Sequence, residues 1–341
     1  MTIRYCHAVS SALAILVGGV FVLCLMATTA MAQSQPDFAE WLNQFRRDAQ
    51  AQGISDATIA AALTDIAPID KVVELDRRQP EFTLTFEAYL SHVVKPERVA
   101  EGLDLLKQNE TLLADVAKRY GVPPEVIVAM WGVESNFGHL TGGFQVVPAL
   151  ATLAYDGRRS QYFRTELIDA LKIIDQGIPA NRMQGSWAGA MGQCQFMPST
   201  YLKFARKWNG EGAPDIWQER ADIFASTAHY LSQIGWHGGQ SWGQAVQLPE
   251  HGMAPQLIGL DVKHSLKEWG KLGVRSADGK PLPVSSGIRA SLILAENAKS
   301  EDAGHGVPYL VYDNFRVLMR WNKSVFFALG AGTLADRLGS K

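Results

Sequence analysis

The chain has 341 residues, of which 47% are hydrophobic and 19% are charged, so it has enough apolar side chains for a substantial core. This balance excludes wholesale disorder. A formal net charge of −2, with no run of Lys or Arg, argues against a nucleic-acid-binding protein, which usually carries a basic surface.

The first 32 residues have the pattern of a secretory signal peptide. Arg4 precedes an apolar stretch from Ala12 to Met26, and Ala30-Met31-Ala32 fits the small-x-small rule for cleavage. The alternative is a membrane-spanning helix, but this stretch is shorter than the roughly 20 apolar residues that a span needs. We therefore predict a mature chain that begins near Gln33.

The cysteines indicate an exported protein without disulfides. Cys6 and Cys24 fall inside the predicted signal peptide, which leaves Cys194 as the single thiol of the mature chain. Small residues do not precede Cys24, so we do not expect a lipid anchor there. Export without disulfides is typical of a bacterial periplasm, and a large core must then supply the stability.

Residues 33–120 are predicted to form an N-terminal helical domain. Apolar residues recur at helical spacing within residues 34–52 and 82–94. Ser55 has the side chain of an N-cap, and Pro96 suits the first turn of a further helix that continues past Val116.

Residues 121–245 are predicted to form a second helical region, the catalytic core. After Pro123-Pro124, a helix from Glu125 to about Asn136 is apolar on all sides, which is typical of a protein interior. Glu134 lies in its last turn. Further helical segments follow, with a break at Gly142-Gly143.

The last third of the chain changes in character. Residues 246–312 contain short β-type runs separated by turn residues and are predicted as a small antiparallel sheet. A single helix from Asn314 to Leu338 is then predicted to join the N-terminal domain, within residues 313–341. The fold class predicted is mainly α (α+β).

Glu134 is the strongest candidate for chemistry. A carboxyl group in an apolar helix loses solvation, which favours its neutral form and raises its pKa. Such a group can donate a proton near neutral pH, as cleavage of a glycosidic bond requires. The alternative is a glutamate that is simply exposed at a helix end.

A second motif, residues 185–201, places Gly, Ser and Gln beside aromatic side chains. Flat apolar rings and uncharged hydrogen-bonding groups suit sugar recognition. Each aromatic residue taken alone is more often plain core.

Three motifs in order resemble the B-type lytic murein transglycosylases, which have a lysozyme-like catalytic core. They are Val133-Glu-Ser-Asn-Phe-Gly138, Gly185-Ser-Trp-Ala-Gly-Ala-Met-Gly192 and Gln195-Phe-Met-Pro-Ser199. The resemblance extends over about residues 80–330. It implies cleavage of the β-1,4 bond between N-acetylmuramic acid and N-acetylglucosamine in peptidoglycan strands, with Glu134 acting as acid and then as base. The muramyl C6 hydroxyl would attack C1 to give a 1,6-anhydro ring, without water and without a cofactor.

The resemblance also implies substrate-binding roles for five residues: Ser186, Gln195, Tyr230, Tyr89 and Asn314. Ser186 and Asn314 have the alternative of capping turns, and the two tyrosines that of core packing. A hydrolase would need a second carboxyl group beside the acid, and the best candidates, Asp156 and Glu166, lie in none of the three motifs.

Two departures from the family pattern stand out. Relatives can carry a calcium loop, but Lys207 and Gln218 occupy the first and twelfth positions of the corresponding stretch, where oxygen-rich ligands belong. We therefore expect no metal. Trp321 stands at a position where relatives can have tyrosine. The other functions that remain open are a hydrolysing muramidase and a non-catalytic peptidoglycan-binding protein.

Overall fold

A computed structural model describes residues 37–78, 85–283, 287–295 and 306–340. The predicted signal peptide and its cleavage point lie outside these ranges. Within them, no helix combines the length and the apolar character that a membrane span requires.

Helices make up most of the described chain. The first seven are α1 (Phe38–Ala51), α2 (Asp56–Leu63), α3 (Asp70–Arg78), α4 (Phe86–Val93), α5 (Pro96–Gln108), α6 (Glu110–Tyr120) and α7 (Pro124–Ser135). The later ones are α8 (Val146–Asp156), α9 (Ser160–Asp175), α10 (Pro198–Phe204), α11 (Arg220–Gln233), α12 (Leu266–Lys271), α13 (Asp313–Trp321) and α14 (Val325–Gly339).

The sequence explains where many of these helices begin. The Ser55 hydroxyl accepts a hydrogen bond from the backbone N–H of Thr58, and Thr85 caps α4 in the same way. Pro96 and Pro124 occupy first-turn positions of α5 and α7, where a missing N–H costs nothing.

Helix α7 is the centre of the helical packing. Helices α5, α6, α11 and α14 all pack against it, and α14 also contacts α4, α5 and α13. This arrangement explains why α7 is apolar all round: Val126, Ile127, Val128, Ala129 and Met130 are all buried.

In the described part of the chain, two antiparallel sheets accompany the helices. Strands β1 (Phe144–Gln145) and β2 (Gln184–Gly185) pair with each other. The larger sheet has the order β4-β6-β7-β3-β5. Its strands are β3 (Gly243–Gln247), β4 (His264–Ser265), β5 (Arg275–Ser276), β6 (Arg289–Ala295) and β7 (Val307–Val311). A second apolar cluster, which includes Trp269, Leu292 and Leu310, fills one face of this sheet.

The predicted fold class, mainly α with a small antiparallel sheet, is confirmed. The prediction of one helix from Asn314 to Leu338 is wrong, because the chain forms α13 and α14 with a break between Trp321 and Val325. Ser324 caps the new helix by accepting from the N–H of Phe327. The helix predicted from Pro96 past Val116 also divides, at Asn109.

The predicted division into regions 33–120, 121–245 and 246–312 stays a prediction. By its internal contacts the chain from Asp37 onward forms one compact unit.

Candidate active site

Glu134 lies one residue before the C-terminal end of α7, and the chain reverses direction directly after it. Asn136 and Phe137 both have left-handed backbone conformations, with φ values of +48° and +58°. The Nε of Arg98 on α5 donates to Oδ1 of Asn136 at 3.0 Å, and the Arg98 Nη1 donates to the Val93 carbonyl at 2.8 Å. A largely buried guanidinium therefore holds this turn in place.

The carboxyl group of Glu134 is surrounded by protein, although the residue keeps some exposure. Burial raises its pKa from 4.5 to about 8. One hydrogen bond acts in the opposite direction: the indole Nε1 of Trp321 donates to Oε1 of Glu134 at 2.5 Å. Burial is the larger effect, so this group is mostly protonated at neutral pH, as the sequence predicts for a general acid.

Aromatic rings form one wall beside Glu134. Tyr230 on α11 lies with its ring centroid 4.7 Å from that of Trp321 and 4.3 Å from that of Phe204. Phe196 meets Tyr230 edge to face at 5.4 Å. Tyr230 and Trp321 are partly exposed, so they offer flat surfaces to a ligand.

Tyr89 on α4 is a second tyrosine that lies close enough to Glu134 to interact with it electrostatically. Burial raises the pKa of Tyr89 to about 12, and the negative charge of Glu134 adds to this effect. The same two causes raise the pKa of Tyr230. The structure therefore brings two of the five predicted binding residues close to the predicted acid.

Ser186 stabilises a tight turn in the glycine-rich motif, residues 185–192. Its N–H donates to the Ala190 carbonyl at 2.8 Å, and its hydroxyl accepts from the Ala190 N–H at 3.1 Å. Ser186 therefore caps a turn, which is the alternative to a binding role that the sequence left open. The hydroxyl proton is not used in that bond, so Ser186 retains a donor.

Gln195 has a left-handed backbone, with φ of +50°. Its Nε2 donates to the carbonyls of Thr141 and Gly192, at 3.0 and 2.8 Å. The side chain thus ties the glycine-rich motif to the loop after α7, while its Oε1 takes no part in these two bonds.

Asn314 is 0% exposed. Its Oδ1 accepts from the N–H of His237, and its Nδ2 donates to the carbonyls of His237 and Gln240. The amide therefore holds the loop after α11 and has no free donor for a sugar. Its predicted binding role stays a prediction that no contact among the described residues supports.

Neither candidate for a second carboxyl group is paired with Glu134. Asp156 binds Arg77 at 2.9 Å. Glu166 is buried on α9 and accepts from the N–H and hydroxyl of Ser199, at 2.9 and 2.8 Å. Both carboxylates have structural partners of their own.

The absence of a side chain at Gly142 allows the loop after α7 to pack directly against the backbone of the glycine-rich motif. Its φ is +92°, and a Cβ atom there would lie 2.1 Å from the Gly185 carbonyl oxygen. The next residue, Gly143, has nothing within 4 Å of its Cβ position. Only the first of these neighbouring glycines is required.

We expect Gly142→Ala to lower the free energy of unfolding by about 2–4 kcal/mol, because left-handed strain and a backbone clash add together. Gly143→Ala is the matched control and should leave stability nearly unchanged. Urea unfolding of both variants measures the difference. Equal stability of the two would show that the loop can move away at little cost.

Lys207 is the first residue of the stretch that corresponds to the calcium loop of relatives. Its Nζ lies 2.9 Å from Oδ2 of Asp222, a carboxylate that is 1% exposed. The same carboxylate accepts from the N–H groups of Trp208 and Asp215, both at 2.8 Å. Among the described residues, no cluster of three or more His, Cys, Asp or Glu side chains could hold a metal ion.

Comparison with known proteins shows which family the chain belongs to. The profile of the family described as "Transglycosylase SLT domain" matches residues 37–336. The chain belongs to this family. It is also 32% identical over 252 residues to the membrane-bound lytic murein transglycosylase B of Escherichia coli strain K12, an alignment that covers 73% of this chain and 66% of that protein.

Solved structures of B-type lytic transglycosylases have the same fold. SltB3 from Pseudomonas aeruginosa, in complex with NAG-NAM-pentapeptide, is 43% identical with a TM-score of 0.84, covering 89% of this chain and 80% of that one. The Escherichia coli lytic transglycosylase Slt35, in complex with calcium, is 29% identical with a TM-score of 0.74, covering 90% and 95%. The resemblance to B-type lytic transglycosylases that the three motifs indicate is confirmed.

Within this lytic transglycosylase, Trp321 is the site residue whose contact the sequence did not reveal. Its hydrogen bond to Glu134 joins positions 187 residues apart. The one available signal was that tryptophan occupies a position where relatives can have tyrosine.

Proposed function

We propose that this B-type lytic transglycosylase cleaves the β-1,4 bond between N-acetylmuramic acid and N-acetylglucosamine in peptidoglycan strands, with Glu134 as its acid and base. The observation that carries the proposal is a carboxyl group with a pKa of about 8 that has no carboxylate partner among the residues the structure describes. Two structures of one relative support the substrate class, since SltB3 is described in complex with NAG-NAM-pentapeptide and with NAG-anhNAM-pentapeptide.

In the first step, neutral Glu134 gives its proton to the glycosidic oxygen as the bond to the muramyl C1 breaks. The leaving N-acetylglucosamine gains the hydroxyl, and Glu134 becomes a carboxylate. Positive charge develops at C1, where the substrate's own acetamide stabilises it. The apolar wall of Tyr230 and Trp321 excludes water from this centre.

In the second step, the Glu134 carboxylate takes the proton of the muramyl C6 hydroxyl. The C6 oxygen then bonds to C1 and closes a 1,6-anhydro ring, and Glu134 returns to its neutral form. No water is consumed, so no second carboxylate is needed to activate one. We place Tyr89, Tyr230, the Ser186 hydroxyl and Oε1 of Gln195 along the sugar-binding surface.

We also propose export to the periplasm with removal of residues 1–32. The pattern ending at Ala32 supports the cleavage. The relative from Escherichia coli is named as a membrane-bound enzyme, which supports a place in the cell envelope.

The test is mass spectrometry of the muropeptides released from purified sacculi. The full-length chain is produced in a bacterial host and purified from the periplasmic fraction, where its intact mass tests cleavage after Ala32. The wild type should release products one water lighter than hydrolytic muropeptides, and Glu134→Gln should release at least about a hundredfold less of them. Products with reducing ends would make it a hydrolysing muramidase. Glycan binding without any release would make it a binding protein.

A further inference from the structure

Trp321 makes the one hydrogen bond to the Glu134 carboxyl group that the described residues contain, at 2.5 Å from Nε1 to Oε1. An indole N–H can donate a hydrogen bond but cannot accept one. Neutral Glu134 has one oxygen that carries the proton and one that does not. The carbonyl oxygen is the stronger acceptor of the two, so an indole N–H facing Oε1 favours the arrangement in which the proton is on Oε2.

We propose that Trp321 is a positioning residue that keeps the acidic proton of Glu134 on Oε2, the oxygen left to face the glycosidic bond. The inference rests on the proposed function, in which Glu134 must deliver that proton in the first step. It assigns to Trp321 a role that differs from stacking against a sugar ring.

The packing of Trp321 fixes the direction of its N–H group. Its ring lies against Tyr230, at 4.7 Å, and Phe196, at 5.5 Å between centroids. The neighbouring Arg320 donates from Nε to the Ile234 carbonyl at 2.8 Å and so attaches the end of α13 to the end of α11. The indole therefore keeps one orientation towards Glu134.

A tyrosine at this position would not make the same selection. A phenolic hydroxyl both donates and accepts, so it can pair with either oxygen of a neutral carboxyl group. Tryptophan can only donate, so it favours the arrangement with the carbonyl oxygen towards position 321. After the first step, the same N–H stabilises the ionised Glu134 and keeps Oε2 as the oxygen that receives the C6 proton.

The other titratable groups around Glu134 do not interfere. They are Tyr89 on α4, Tyr230 on α11 and Cys194 in the loop before α10. Burial raises the pKa of Tyr89 and of Cys194 to about 12 and also raises that of Tyr230. Arg98, on α5, stays charged and is bonded to Asn136. Asp336 on α14, whose pKa burial raises to about 6, accepts from the Trp242 indole and lies beside Glu125, at the other end of α7 from Glu134. Of the groups around the Glu134 carboxyl itself, Glu134 is the one that changes charge between pH 5 and pH 9.

The first variant is Trp321→Phe, which keeps an aromatic ring and removes the donor. With soluble glycan strands as substrate, kcat should fall about tenfold to a hundredfold, the effect of a lost hydrogen bond to a charged group, while KM changes little. The alkaline limb of the kcat/KM profile should move up by about one pH unit, because the ionised form loses its donor.

A second variant keeps the shape of the side chain. Benzothienylalanine, introduced at position 321 by codon suppression, replaces the N–H by sulfur and should reproduce both effects of Trp321→Phe. Trp269→Phe is the matched control, because it removes a buried indole donor to the Ala290 carbonyl (3.0 Å) in the separate cluster of the larger sheet. It should lower stability without moving the pH profile.

The inference is overturned if either donor-free variant keeps the wild-type pH profile, or if only KM rises. Trp321 would then contribute only to sugar binding and would not position the proton of Glu134. The proposed function is tested separately. If Glu134→Gln keeps full activity, Glu134 is not the catalytic acid, whatever the Trp321 variants show.

Discussion

Glu134→Gln is expected to reduce glycan cleavage by about 10²–10⁴-fold, the usual contribution of a general acid and base. Glutamine has nearly the same shape and its carbonyl oxygen can accept the Trp321 N–H, so the site should stay intact. Initial rates on sacculi at pH 6 measure the loss. Glycan binding by the variant, measured in parallel, should be unchanged.

The same substitution should stabilise the protein at alkaline pH. The pKa of Glu134 is raised to about 8 in the folded state from an ordinary value of 4.5. Between these values the unfolded chain loses the proton and the folded chain keeps it. The contribution of Glu134 to stability is therefore fully present below pH 4.5 and is lost as pH rises through 8.

Glutamine does not titrate, so Glu134→Gln should exceed the wild type in unfolding free energy by about 2–4 kcal/mol more at pH 9 than at pH 4. Urea unfolding at the two pH values checks this. A difference between the two proteins that is independent of pH would mean that the carboxyl group is well solvated in the folded state.

Asp222→Ala is expected to lower the free energy of unfolding by about 3–5 kcal/mol. The substitution leaves the Lys207 ammonium without its partner and two backbone N–H groups without their acceptor. Thermal unfolding measures the effect. Glu74→Ala removes an exposed carboxylate that pairs with Lys71 and serves as the control, with little change expected.

Chelation provides a further test of the same loop. Because Lys207 supplies the positive charge from within the chain, EDTA should not change the melting temperature of the wild type. A lower melting temperature in EDTA, restored by calcium, would contradict this account of the Lys207–Asp222 pair. Slt35, described in complex with calcium, is the natural protein for comparison.

Local patterns predicted most of the fold because they depend on neighbouring residues. The apolar residues on all sides of α7, the prolines at its start and the β-type run of residues 308–312 are all short-range signals. The single C-terminal helix was wrong because the apolar period runs on through the break, where Ser324 offers a better cap than a continued turn.

The candidate site could be predicted only in part. The apolar helix indicated a raised pKa at Glu134, since burial follows from the residues beside it. The contact with Trp321 could not be foreseen, because it depends on how α13 packs against α11 and α14. For Asn314 the motif match was misleading about the side chain. The resemblance implied a sugar-binding role, but the Asn314 amide forms hydrogen bonds with the backbone of His237.

The distance along the chain between Glu134 and Trp321 has a consequence for the timing of activity. Helix α14, near the end of the sequence, packs along α7, and α13 carries the donor to the acid. A polypeptide whose last helices have not yet docked has a solvated, ionised glutamate that cannot donate a proton. With Glu134 as the proposed acid, cleavage therefore has to wait until the C-terminal helices have folded onto α7.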